Sequence, residues 1–559
     1  MGRRGLDDHI AAGRLRSVGV HADELRAPLS AAGTPPLGCA RDDSRYKGAA
    51  SAGMSMTLEA KIATGPSKLA TLAQLGLQIV LWAAIAVAFQ NSIENDVAEG
   101  AVDGPAWQFS YLRHPPLSSW VTGLAEMTGP ARYWALYLAA LSFACGAYYL
   151  VKRFTDRTQG AAAGWVALAG GLASPYASYW AIKFNHNIGV MPFWALTLVT
   201  AWAAFEEGSW LAWIAFGAAV GAGLWAKYAL LHLVIPLALL FLVKREYRAR
   251  LLGPGPWIAA FIVCLLAAPQ LIDALRKGGT TFAWAVHTTP EPFAKRIEGM
   301  VYFALEALMA NLPFALIAWA ACGSRGLATG VRKMLSRATR SNLDVFLTVA
   351  ALGPVLVIEA AGPFSVRLYY HWLTAVTVGF SAWWARAAFQ SGLRAIPRRA
   401  WIVYASCVGV TAAGFVAVRE IAPILSPPYS SAYGEMDAAG LDRLVDGYWR
   451  EQGLPKFVYI VSLDGKPAFQ AAGSLEFDSG GRARVFKDAD PLNAPWLDPA
   501  DVVRRGALVI STEKPAEQVR LGEVSVAIED IRVVDRPLTR GKQKPPVLWL
   551  GVIRPRAGL

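Results

Sequence analysis

Cysteine is scarce in this chain. Five occur in 559 residues, Cys39, Cys145, Cys264, Cys322 and Cys407, and none stands in zinc-ligand or redox spacing. A disulfide framework is therefore not expected. Charge is scarce too. Asp, Glu, Lys and Arg make up 17% of the residues against 54% hydrophobic ones, too little for an ordinary soluble protein. An acidic surplus is missing, and the formal net charge is +13. The basic excess sits between residues 54 and 422, among the apolar runs, whereas residues 423–559 are balanced. Placed there it sets membrane topology and is no sign of a nucleic-acid partner. Residues 1–53 lack apolar periodicity and any apolar stretch of signal-peptide type. They read as a disordered tail or a mis-assigned start, with Met54 or Met56 as the expected beginning.

What abounds is apolar sequence. Repeated runs of about 18 or more apolar residues mark a polytopic membrane protein embedded in a lipid bilayer. Eleven spans are expected, at 69–90, 132–151, 162–181, 188–205, 209–226, 229–243, 256–275, 300–321, 344–362, 369–388 and 400–420. With the first span starting inside, Lys and Arg concentrate in the inner loops, among them Lys152, Arg153, Lys244, Arg245, Arg332 and Lys333. His114, His186, His232, His287 and His371 fall at or near the other, outer face, as do Asp273, Glu306 and Glu359. Ionisable groups in membrane segments are costly and usually face a cavity, so their bunching argues for an outward polar cavity. Ordinary interfacial residues would account for the same positions.

One loop is crowded with chemistry. Asn95 to Trp120, NDVAEGAVDGPAWQFSYLRHPPLSSW, joins the first two spans. Long ordered loops tend to be functional. Asp96 and Glu99 share one face if the segment is helical. Arg113 and His114 precede Pro115 and Pro116, which fix the backbone there. Groups able to accept a proton and groups able to bind an anion thus lie in one loop at a membrane surface.

This segment resembles the first outward-facing loop of the family 39 GT-C glycosyltransferases, which include protein O-mannosyltransferases and the aminoarabinose transferase acting on lipid A. Their pattern is an Asp, often with a Glu nearby, an aromatic stretch, His-Pro-Pro or Lys-Pro, and a Trp. The chain supplies Asp96, Glu99, Tyr111, His114, Pro115, Pro116, Leu117 and Trp120. It departs from the pattern in separating the two acids by Val97 and Ala98. The resemblance covers about residues 69–559. It implies an all-α polytopic GT-C membrane domain over 54–422, followed by a small C-terminal α+β soluble domain over 423–559.

Other stretches fit more loosely. Ser178 to Met191 joins two spans through Lys183, Asn185, His186 and Asn187, and related bacterial enzymes have a similar Lys-Phe-Asn-x-Asn turn. Lys183 could meet a phosphate and the two Asn a sugar; a hydrogen-bonded interfacial turn is the plainer reading. Lys227 sits in a tight outer turn, where a snorkelling Lys is the alternative. The outer loop 276–299, with Trp284, His287 and Glu291, suits a lipid headgroup or an amphipathic surface helix. Arg367 lies beside Tyr369, Tyr370 and His371. After a linker at Ser426-Pro427-Pro428, a helix is expected over 437–449 and strands over 456–462, 507–511, 523–533 and 547–553. That region carries no Gly-rich phosphate loop, metal-ligand cluster or nucleophile motif.

The resemblance implies a polyprenyl-phosphate-linked sugar as donor, with a glycolipid, polysaccharide or protein as acceptor. The enzyme would sit in the bacterial inner membrane, with the site and the C-terminal domain periplasmic. Asp96 would orient or deprotonate the acceptor and Glu99 would assist it. His114, Arg113, Lys183, Asn185, Asn187, Lys227 and Arg367 would hold donor phosphate or sugar. No cofactor is required, although a divalent metal bridging phosphate and carboxylates stays open. A transporter or lipid flippase would show internal repeats or broken helices in matched halves, which are not seen here. A non-catalytic envelope-assembly protein would tolerate the loss of Asp96.

Overall fold

The computed structural model describes residues 65–90, 92–279, 292–364, 368–420, 436–463, 465–534 and 547–556. The tail 1–53, the alternative starts, the linker with its boundary near 423, Trp284, His287, Glu291 and Arg367 lie outside the described residues.

The membrane part is a helical bundle. In order it runs α1 (Lys68–Phe89), α2 (Asn95–Asp103), α3 (Leu117–Glu126), α4 (Arg132–Gln159), α5 (Ala161–Leu172), α6 (His186–Gly189), α7 (Met191–Glu206), α8 (Trp210–Leu224), α9 (Leu231–Val243), α10 (Arg245–Arg250) and α11 (Gly255–Arg276). Then come α12 (Phe293–Leu335), α13 (Asn342–Ala361), α14 (Leu373–Gln390) and α15 (Arg398–Glu420). Each of the eleven expected spans overlaps a helix, but the one expected over 162–181 is helical only to Leu172 and continues as turns. Seven of the helices are long and apolar enough to cross a bilayer, and the stretches 161–172, 210–224 and 228–243 are shorter apolar helices. The remaining helix, α14, is enclosed by protein: residues 373–382 are all buried.

Local chemistry sets the boundaries. Ser67 and Ser209 cap α1 and α8 by accepting from Ala70 N and Ala212 N. Ser341 and Asp344 close a capping box at the start of α13. Gly160, at φ +94°, breaks α4 from α5, and Gly323, at φ +72°, kinks α12. Small residues let the spans close up, as expected where lipid gives helices little hydrophobic reason to associate. A Cβ on Gly379 would sit 2.6 Å from the Ala350 carbonyl oxygen, so α14 and α13 touch backbone to backbone. One end of the bundle is laced by cations. Arg250 donates to the Glu206 carbonyl, Lys333 to that of Gln390 and Arg399 to that of Ala320.

The C-terminal region is a five-stranded sheet in the order β2-β1-β3-β7-β6. Its elements are α16 (Ala438–Glu451), β1 (Tyr459–Leu463), α17 (Lys466–Ser479), β2 (Arg484–Lys487), α18 (Pro499–Arg505), β3 (Ala507–Ser511), β4 (Gln518–Leu521), β5 (Val524–Ala527), β6 (Glu529–Val533) and β7 (Trp549–Ile553). β1 is parallel to β2 and β3, β7 is antiparallel to β3 and β6, and β4 and β5 form a separate ribbon. Leu441, Val445 and Leu475 cover one face, and Val502, Val503 and Leu521 the other. The strand expected over 523–533 is two strands, β5 and β6, in different sheets. Residues 63–559 form one compact unit, and α17 packs directly on α2.

Candidate active site

The loop between the first two spans folds into α2 and α3. Helix α2 presents Asp96, Glu99 and Asp103 one after another. The aromatic stretch after it is tied down. Tyr111 Oη donates to the Asp103 carbonyl at 2.7 Å, Trp120 Nε1 donates to the Gln108 carbonyl at 3.1 Å, and Leu117 N donates to the Trp225 carbonyl at 3.0 Å. Ser110 Oγ donates to Asp273 at 2.7 Å, and Lys277 Nζ holds the same carboxylate, also at 2.7 Å. Asp273, expected among the cavity acids, therefore anchors the rim of this loop.

Around Asp96 the structure gathers residues from three separate turns. Asn185 Nδ2 donates to Asp96 Oδ2 at 2.9 Å. Asn185 Oδ1 in turn accepts from Asn187 N and Ile188 N, capping α6. Lys227 Nζ bonds Asn187 Oδ1. His114 and His186 lie ring to ring, with centroids 4.1 Å apart and planes tilted by 30°. Asp96, His114 and Lys227 are each surrounded by protein, yet each keeps accessible surface, Asp96 the most.

Electrostatics separate the groups. Burial raises the Asp96 carboxyl above its ordinary value, against the Asn185 hydrogen bond and with help from the charges of Glu99 and Glu94. Glu99 goes the other way: burial opposes its charge, but Lys487, Arg113 and His186 prevail and hold it below the usual value. Asp103 is pushed well up by burial and by Glu99. Burial, with Lys227 and Arg113 nearby, lowers His114 to about 3, so its imidazole is neutral at pH 7. Burial also brings the Lys227 ammonium down to about 8.

Lys183 lies two residues from Asn185 but points to another acid. Its Nζ is 3.4 Å from Glu94 Oε1 and 4.9 Å from the centre of the Trp180 ring. Arg419 Nη2 reaches the same Glu94 oxygen at 3.2 Å. Beside them Tyr176, Tyr179, Trp180, Glu306 and Tyr370 line a cavity of about 300 Å³. Glu94, Arg419, Asp103 and Lys487 were not singled out from the sequence. Glu94 was within reach of sequence reasoning, two residues before Asp96 in the same loop. Lys487 was not, because nothing in the spacing links positions nearly four hundred residues apart. Among the described residues, no three His, Cys, Asp or Glu side chains converge as metal ligands.

Comparison with known proteins bears on this site. Residues 113–272 match the family model of the dolichyl-phosphate-mannose-protein mannosyltransferases. That span takes in His114, Lys183, Asn185, Asn187 and Lys227, and begins after Asp96 and Glu99. No curated protein matches by sequence. Among solved structures, apo ArnT from Cupriavidus metallidurans superposes with a TM-score of 0.53 at 14% identity, covering 85% of this chain and 98% of its own. The same protein bound to undecaprenyl phosphate gives 0.56 at 13%, covering 87% and 99%. The chain thus has the fold of the GT-C membrane glycosyltransferases and, over residues 113–272, the sequence pattern of the dolichyl-phosphate-mannose-protein mannosyltransferase family.

Proposed function

We propose that this protein moves a hexosyl or pentosyl unit from a polyprenyl-phosphate carrier to an acceptor hydroxyl or amine. The site would open on the periplasmic side of a bacterial inner membrane. The observation that carries this reading is the Asp96 carboxylate, enclosed by protein yet accessible, held by Asn185 and close to Lys227. A raised carboxyl that substrate can reach is a poised proton acceptor. The cations at the other end of the bundle fit an inner face, which supports the orientation. ArnT has been solved with undecaprenyl phosphate bound, which supports a lipid-phosphate donor here by analogy of fold.

In this mechanism Asp96 takes the acceptor proton as the acceptor oxygen or nitrogen attacks the anomeric carbon. The bond from that carbon to the phosphate oxygen breaks, the anomeric centre inverts, and prenyl phosphate leaves. Lys227 meets the developing phosphate charge. His114, being neutral, meets it as a hydrogen-bond donor. Asn185 and Asn187 hold Asp96 and Lys227 in register and face the sugar. The acceptor is a glycolipid, polysaccharide or protein. The test is sugar transfer in reconstituted liposomes from a polyprenyl-phosphate sugar, comparing wild type with Asp96→Asn at equal inserted protein. Donor-dependent transfer lost in the variant supports the reading; equal transfer by both overturns it.

A further inference from the structure

The C-terminal region reaches into the loop that carries Asp96. Gln470 Nε2 donates to the Ile93 carbonyl at 2.8 Å. A Cβ on Gly473 would lie 2.7 Å from the Ala98 Cβ, so α17 lies hard against the back of α2. Trp496 meets Tyr111 edge-on with ring centres 5.5 Å apart. Most pointedly, Lys487, the last residue of β2, places its Nζ 3.8 Å from Glu99 Oε1 and 4.3 Å from the centre of the Phe469 ring. Both members of the pair are buried, at 9% exposure each. A buried cation and a buried anion are each costly alone, and each requires the other.

We propose that Lys487 is a positioning residue of the transfer site: it keeps Glu99 fixed three residues from Asp96, so the C-terminal region completes the site and does not merely cover it. This rests on the transfer reading given above. The groups facing Glu99 are Lys487, Arg113 and His186 from other elements and Asp96 and Asp103 from its own helix. Of these, Lys487 is the leading influence that favours the ionised form of Glu99. The negative charge of Glu99 in turn strengthens Asp96 as a proton acceptor. Without Lys487 the leading influence toward the ionised form is gone, the balance at Glu99 shifts toward its protonated form, and Asp96 becomes a weaker base.

The test is a double-mutant cycle on the full-length protein in liposomes, with transfer followed against pH. Lys487→Met keeps an apolar chain of similar length beside Phe469 and removes the charge; Lys487→Gln serves if it does not insert. The expected result is a fall of about ten-fold in plateau kcat, in the range over which contacting residues couple. The acid limb should move to lower pH while the donor KM holds. Lys487→Arg should restore both, and in a Glu99→Gln background Lys487→Met should change neither. A limb that stays in place or moves upward overturns the proposal, as does an equal loss in both backgrounds. Activity of Asp96→Asn, measured alongside, reports separately on the transfer reading.

Discussion

Asn185 donates a 2.9 Å hydrogen bond from Nδ2 to Asp96 while its side-chain Oδ1 caps α6. One side chain thus fixes the orientation of the acid and the start of α6. Asn185→Ala should cost about 1 kcal/mol of stability through the lost cap. It should also raise the Asp96 carboxyl further, because the lost bond favours the charged form. The acid limb of the rate profile then moves to higher pH. Asn185→Asp, which sets a like charge on Asp96, should move it further still.

Asp96→Asn removes charge and basicity at nearly constant size. General-base contributions run at about 10²–10⁴-fold, and transfer should fall by that order with normal membrane insertion. In wild type, Asp96 must be deprotonated to act, so activity should decline as pH falls through its raised value. Transfer at equal inserted protein, measured from pH 4 to 9, reads both effects.

Lys227 governs the other limb. Its ammonium is lowered to about 8 by burial, so it is charged below that pH and neutral above it. The donor KM should rise as pH passes about 8, while Lys227→Arg should hold the low-pH KM to higher pH because the guanidinium stays charged. Lys227→Met should show the weak-donor behaviour at every pH.

Sidedness follows from the charge pattern. In a chain with the native cysteines replaced, Met127→Cys and Lys514→Cys should react with an impermeant thiol reagent applied from the outer side, and Ala338→Cys should not. All three positions are exposed. Reaction at Ala338→Cys with protection of the other two would invert the topology.

Gly473→Leu should unseat α17 from α2. The Ala98 Cα and carbonyl oxygen lie 3.1 Å from where a Cβ would stand, so backbone has to give way. Overpacking of this kind costs about 1–3 kcal/mol, visible as a lower unfolding temperature in detergent.

The membrane helices were legible because lipid imposes length and composition on every span it touches. The Asp96 loop stood out because it keeps a local pattern. The expected strands over 456–462 and 507–511 found β1 and β3, whose β-branched residues are buried on both faces. By contrast, α17, KPAFQAAGSLEFDS, was not foreseen: Ala468 to Phe477 are all buried, so no polar stripe marks a helical period. β4 was missed because its residues alternate only weakly and pair in a two-stranded ribbon. The contacts of Glu94 with Arg419 and of Glu99 with Lys487 are products of tertiary folding, and no local periodicity encodes them.

The enclosed helix α14 has a consequence for counting. Surrounded by protein, it has no need of lipid-grade hydropathy, and it carries Arg386 in a buried pair with Asp344. Leaving out this one helix and keeping the other ten spans makes the number of crossings even. Even parity would return the chain to its starting side and strand the C-terminal sheet across the bilayer from α2, the helix on which it rests.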